Sequence, residues 1–330
     1  VILLDAFVNR RCTVRRTTAA FLLLSLLIFL AFSGGSSGAE DGTWTETKFN
    51  YGGYAREYAL YLPAAWKRGG PLVVFFPGFT LGYRDYRKGS GLIEASDRYG
   101  TALLIPNGMP VNPKYGAWLL NPRVWDMGQV KDRKEYIDDS AFVDRLIKDV
   151  TAQIGADPSK TFVAGHSNGA YFAHFMVGKY PGRFAGIASF MGRFFKTALP
   201  KSIPPIPTII FNGMQDPVLP IEGKEGKNPW DSVPAAQECI DHWATIMGLE
   251  KQPSRQLLEE GGSQLAYRDA LGRVMLVAAY IDNQGHWIPG HRPKAIQGIV
   301  AGPLNLRYDA PDKAWRMFMS VGPQGGLMQI

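Results

Sequence analysis

Between residues 72 and 164 the chain alternates short, wholly apolar runs with longer amphipathic ones. Residues 72–76, 102–105 and 161–164 show no polar alternation, which predicts strands buried on both faces. Residues 91–99 and 140–154 lie between them and carry a helical period. In the second, Phe142, Val143, Leu146, Ile147 and Val150 fall on one face, and Asp138 or Asp139 is placed to cap the helix. Strands of this kind separated by helices predict a mostly parallel central sheet with helices on both faces. Upstream, residues 44–61 alternate about Gly52 and Gly53, predicting a hairpin at the sheet edge. Downstream, residues 207–211, 265–269 and 274–281 read as strands, the last two antiparallel about Ala270, Leu271 and Gly272. Residues 233–247 and 314–319 read as helices. The long loops 107–136 and 286–309 have the composition of site-forming segments.

The first 39 residues follow another pattern. Arg10, Arg11, Arg15 and Arg16 precede an apolar run over residues 19–32, and small residues follow it. This is the layout of a signal peptide, and the run is shorter than the roughly 20 residues of a membrane span. The expected organisation is a signal segment, 1–39, outside the fold and a single catalytic domain, 40–330. A secreted or periplasmic destination follows, with no stable membrane insertion after cleavage. The net charge of +7 falls to +4 once four arginines and Asp5 are removed. The remaining lysines and arginines are interleaved with carboxylates, as around Asp126, Lys131, Asp132 and Glu135, so no nucleic-acid partner is expected. Cys239 is the one cysteine left in the mature chain; it sits in a helical pattern and reads as a small core residue.

Chemistry enters at Gly165-His166-Ser167-Asn168-Gly169, which joins the strand at 161–164 to the helix-prone residues 168–180. A serine on so sharp a strand-to-helix turn is held exposed, and the positions two before and two after it need glycine. Its hydroxyl needs a general base, and the base needs an acceptor that fixes its tautomer. Five histidines exist. His166 must point away from the hydroxyl, His174 lies on the outgoing helix, and His242 is mid-helix. His286 follows the strand at 274–281 and is the expected base, with His291 in reserve. Asp216 stands in the turn after the strand at 207–211 and is the expected acid. Asp241 and Asp269 lie within elements, and Asp282 is too close to His286 in sequence. The oxyanion hole is expected from the backbone amides of Asn168 and Phe79, with Thr80 next. Trp118, Trp125 and Trp287 have two readings, pocket walls or core anchors.

Taken with Tyr58–Pro63, Pro71–Val74, Ile137–Phe142, Asn212–Asp216 and Gly285–Gly290, the order Ser167, Asp216, His286 resembles the α/β-hydrolase esterases of the polyhydroxybutyrate depolymerase-like and feruloyl esterase-like type. The resemblance implies an α/β-hydrolase fold and a secreted serine carboxylic-ester hydrolase that works through an acyl-enzyme without metal or organic cofactor. It also implies feruloyl or acetyl esters of polysaccharide, or short hydroxyalkanoate esters, as substrates. Three departures stand out: Pro77 where that family carries histidine, Trp287 one place early with Ile288 in its position, and no cysteine pair. A serine peptidase of the prolyl-oligopeptidase type shares the triad order, and a noncatalytic carbohydrate-binding protein could use the same scaffold.

Overall fold

The computed structural model describes residues 42–117, 120–127, 137–194, 199–226, 232–294, 298 and 300–321. The expected signal segment and Trp118 lie outside them. The alternating N-terminal stretch folds into β1 (Thr43–Tyr51) and β2 (Tyr54–Leu62). Gly52 and Gly53 link them with φ of 60° and 84°, the left-handed backbone that a two-residue hairpin turn needs. Then come β3 (Leu72–Phe76), the single turn α1 (Tyr83–Tyr86), α2 (Leu92–Tyr99) and β4 (Ala102–Pro106). Two short strands, β5 (Met109–Pro110) and β6 (Arg123–Val124), pair with each other outside the main sheet.

The second half runs α3 (Asp139–Ile154), β7 (Thr161–His166), α4 (Asn168–Lys179), β8 (Gly186–Phe190) and β9 (Thr208–Gly213). It closes with α5 (Ala236–Ile246), β10 (Ser254–Leu257), β11 (Gly262–Arg268), β12 (Val274–Ile281) and α6 (Ala310–Ser320). Ten strands form one sheet in the order β1-β2-β4-β3-β7-β8-β9-β12-β11-β10. The six from β4 to β12 are parallel, and both flanks are antiparallel. This is the mostly parallel α/β-hydrolase architecture expected from the alternation.

Burial on both faces follows from the apolar strands. Val74, Phe76 and Val163 pack beneath Phe142 of α3, Phe172 of α4 and Trp243 of α5. On the other face Val73, Phe75 and Ala164 meet Leu92 of α2 and Trp315 and Phe318 of α6. With helices covering both faces, the carboxyl edge of the parallel strands is the rim where open α/β sheets assemble their sites. Asp138 caps α3 by accepting from the Ala141 amide at 3.0 Å. Asp139 does something else: fully buried, it pairs with Arg56 of β2 at 2.6 Å and accepts the Asp126 amide at 2.9 Å.

Candidate active site

Ser167 sits where β7 ends and α4 begins, with φ 54° and ψ −120°, a strained backbone for a residue with a side chain. Its neighbours explain how the chain tolerates this. A Cβ on Gly169 would collide with the Phe76 carbonyl, and one on Gly165 would collide with the Gly169 carbonyl. Only glycines at both places let β3, β7 and α4 approach so closely.

Two further strand ends bring partners to the serine. Nε2 of His286, just past β12, lies 2.9 Å from Ser167 Oγ, and Nδ1 lies 2.7 Å from Asp216 Oδ2. A carboxylate can only accept, so Nδ1 carries the ring proton and Nε2 is left to accept from the hydroxyl. Asp216 also holds its own turn, because Oδ1 accepts from the amides of Val218 and Leu219, both at 2.8 Å. The carboxylate thus has one oxygen for the local turn and the other for the histidine. The buried Arg193 braces the same region, donating to Asn212 Oδ1 at 2.8 Å and to the Leu219 carbonyl at 3.4 Å.

The loop expected to supply an oxyanion donor follows β3. The Thr80 amide is engaged by the Arg123 carbonyl at 2.9 Å, which removes Thr80 as an alternative donor. Neither Asn168 nor Phe79 gives its amide to a backbone carbonyl among the described residues, as the role expected of both amides requires. Asn168 also has a side-chain role, its Oδ1 accepting the Trp125 amide at 2.9 Å.

Five of the histidines and carboxylates set aside have other surroundings. His166 is buried with Nδ1 2.8 Å from the Tyr86 hydroxyl. His174 is enclosed by Phe194 and Trp243, and burial pulls its pKa down to about 3. His291 faces Asp309 at 3.3 Å. Asp241 bonds Tyr267 at 3.0 Å, and Asp269 closes the turn to β12 through Arg273.

Expectation and structure part over the tryptophans. Trp125 and Trp287 are each only 1% exposed and belong to the two buried cores. Trp125 stacks on Phe172 with centroids 4.5 Å apart and gives its indole N–H to the Pro77 carbonyl at 2.9 Å. Trp287 stacks on Tyr86 at 5.6 Å and bonds the Gly89 carbonyl at 3.1 Å. Both are core anchors under the catalytic loops, because each indole finds a carbonyl partner without leaving the interior. The exposed apolar groups on the loops themselves are Phe79, Met214 and Val218, which the sequence reading did not single out as pocket residues.

The sequence profile of the family described as Esterase PHB depolymerase matches residues 56–236, a span that includes Ser167 and Asp216. The chain belongs to this family. It is a carboxylic ester hydrolase. Among relatives, the NocK protein of Nocardia uniformis subsp. tsuyamanensis is 24% identical over 295 residues, covering 82% of this chain and 83% of NocK. Poly(3-hydroxyalkanoate) depolymerase C of Paucimonas lemoignei is 23% identical over 164 residues, 44% of this chain and 40% of the depolymerase. In fold the esterase is similar to an acetyl xylan esterase from Aspergillus awamori, with a TM-score of 0.54, 16% identity, and coverage of 78% of this chain and 97% of that one. It is also similar to an S-formylglutathione hydrolase from Agrobacterium tumefaciens, with a TM-score of 0.52, 14% identity, and coverage of 78% and 92%. Among the described residues of the esterase no helix is long and apolar enough to cross a membrane.

Proposed function

We propose that this esterase hydrolyses its substrates through an acyl-enzyme on Ser167, with His286 as general base and acid and Asp216 as the group that orients it. The observation that carries the reading is the continuous hydrogen-bonded line Asp216–His286–Ser167, with each ring nitrogen facing the partner its role requires. Ser167 Oγ attacks the ester carbonyl while its proton passes to Nε2. The tetrahedral oxyanion is met by the amides of Asn168 and Phe79. His286 returns the proton to the departing alcohol, and water then resolves the acyl-enzyme by the same steps.

The substrate class proposed is an ester with a compact, largely apolar acyl group: an acetyl or feruloyl ester of polysaccharide, or a short hydroxyalkanoate ester. The exposed Phe79, Met214 and Val218, on the loops that hold the oxyanion amide and the acid, support an apolar mouth. Export is part of the same proposal, supported by the arginines and apolar run of the first 39 residues. Fractionation with N-terminal sequencing tests it: protein lacking the leader is expected outside the cytoplasm, and enzyme found only inside would refute it.

Ser167→Ala is expected to lower hydrolysis of p-nitrophenyl acetate and butyrate by several orders of magnitude with folding intact, about what loss of a triad nucleophile costs. Activity close to wild type would overturn the assignment. Rates on methyl ferulate, acetylated xylan and hydroxybutyrate oligomers rank the three substrates, and a peptide anilide run beside them tests the peptidase alternative.

A further inference from the structure

Tyr86 is wholly buried and takes no part in the chemistry above, yet it touches three segments that do. Its hydroxyl accepts the Gly78 amide at 3.0 Å, one residue before the Phe79 amide of the oxyanion loop. The same hydroxyl lies 2.8 Å from Nδ1 of His166, the residue before the nucleophile. Its ring stacks on Trp287, the residue after the base, at 5.6 Å and 13°.

The hydrogens can be assigned from the partners. Gly78 N–H can only donate, so the phenolic oxygen accepts there and its own proton is free to go to His166. Nδ1 of His166 is therefore the acceptor, and its proton resides on Nε2. Burial keeps both members neutral, holding the His166 pKa well below its ordinary value and the Tyr86 pKa above its own. The packing is close: a Cβ on Gly78 would stand 3.0 Å from His166 Nδ1 and 3.3 Å from Ser167 Cβ.

We propose that Tyr86 is a positioning residue for ester hydrolysis: through Gly78 and His166 it holds the oxyanion loop in register with the serine turn, which keeps the Phe79 amide aimed at the reacting carbonyl. The proposal rests on the Ser167 mechanism above. Its physical basis is that an oxyanion donor acts only when preorganised, and this tie works beside a second one, in which Trp125 links the Pro77 carbonyl to Asn168 Oδ1.

The test uses the mature enzyme, with rates normalised to sites titrated by a p-nitrophenyl alkylphosphonate, so that misfolded protein does not count. Tyr86→Phe removes the hydroxyl and keeps the ring on Trp287. Its kcat per titrated site is expected to fall about 10- to 100-fold with KM nearly unchanged, part of the loss seen when an oxyanion donor is deleted outright. His166→Leu should match that loss, and the double variant should lose little more than either single one, because both break the same link. His166→Asn, whose carboxamide oxygen can accept near the Nδ1 position, should lose less than His166→Leu. This comparison decides the matter if Tyr86→Phe fails to fold.

A kcat per titrated site within about threefold of wild type in Tyr86→Phe, additive losses, or equal losses for the leucine and asparagine variants would overturn the proposal. Absence of phosphonate labelling in the wild-type enzyme, or activity in Ser167→Ala, would instead defeat the serine mechanism on which it rests.

Discussion

Asp138 and Asp139 are neighbours in the chain, yet the first turns to the free amides at the start of α3 and the second reaches back to Arg56 on β2. Their environments set different consequences for loss. Asp138 is partly exposed and shares its charge with Lys179 and the Ala141 amide, so Asp138→Ala should cost about 1 kcal/mol, the usual worth of a cap. Asp139 and Arg56 are both about as buried as side chains become. Asp139→Asn removes the carboxylate charge from a buried ion pair, and the cost should be about 3 to 5 kcal/mol. Urea unfolding of the two variants checks the contrast; equal losses would refute it. Sequence could narrow the pair only to a cap, because the second role depends on a residue 83 positions away.

At the scale of elements, the strands that are apolar throughout were legible to within a residue or two. β3 and β12 have the bounds the pattern predicts, since full burial on both faces leaves a signature that needs no partner to be read. β8 was not legible. Gly186-Ile187-Ala188-Ser189-Phe190 has two small residues and a serine, a composition with weak strand preference, and what makes it a strand is its place between β7 and β9. α5 starts at Ala236, later than the periodicity suggested, because Val233 is taken by a bridge to Lys224 and Pro234 follows. α6 starts earlier, at Ala310, with Asp309 capping the Asp312 amide and Pro311 in the first turn, a signal that was readable. Strand ends are predictable, and of the three residues placed there by the pattern, His286 lies within hydrogen-bonding distance of both Ser167 and Asp216. The burial of Trp125 and Trp287 was not legible, because nothing local tells an indole that stacks in the core from one that lines a cleft. Tyr86 was missed for a related reason, since its three contacts come from separate parts of the chain.

The whole molecule carries a pH dependence set by histidines that it keeps away from water. An unfolded imidazole takes up a proton as pH falls below about 6.5. His174 in the folded protein, enclosed by Phe194 and Trp243, stays neutral down to about pH 3. Within that window the unfolded state binds more protons, so stability is whole above it and declines as pH falls, by about 1.4 kcal/mol per pH unit for this one ring. His174→Phe keeps a ring in the same place without a titrating group. Its unfolding free energy should fall less steeply between pH 6 and 4.5 than that of wild type; identical slopes would refute the assignment.

The sheet order has a further consequence. Ser167 leaves β7, Asp216 follows β9 and His286 follows β12, and 119 residues separate the nucleophile from its base. Contacts between distant segments form slowly, because much chain entropy must be given up before they are rewarded. On the proposed mechanism, a chain with β3, β7 and α4 assembled but β12 undocked would hold the serine turn without its base. During refolding, ester hydrolysis is therefore expected to return after helical content, because Ser167 and His286 meet only when the far side of the sheet has docked.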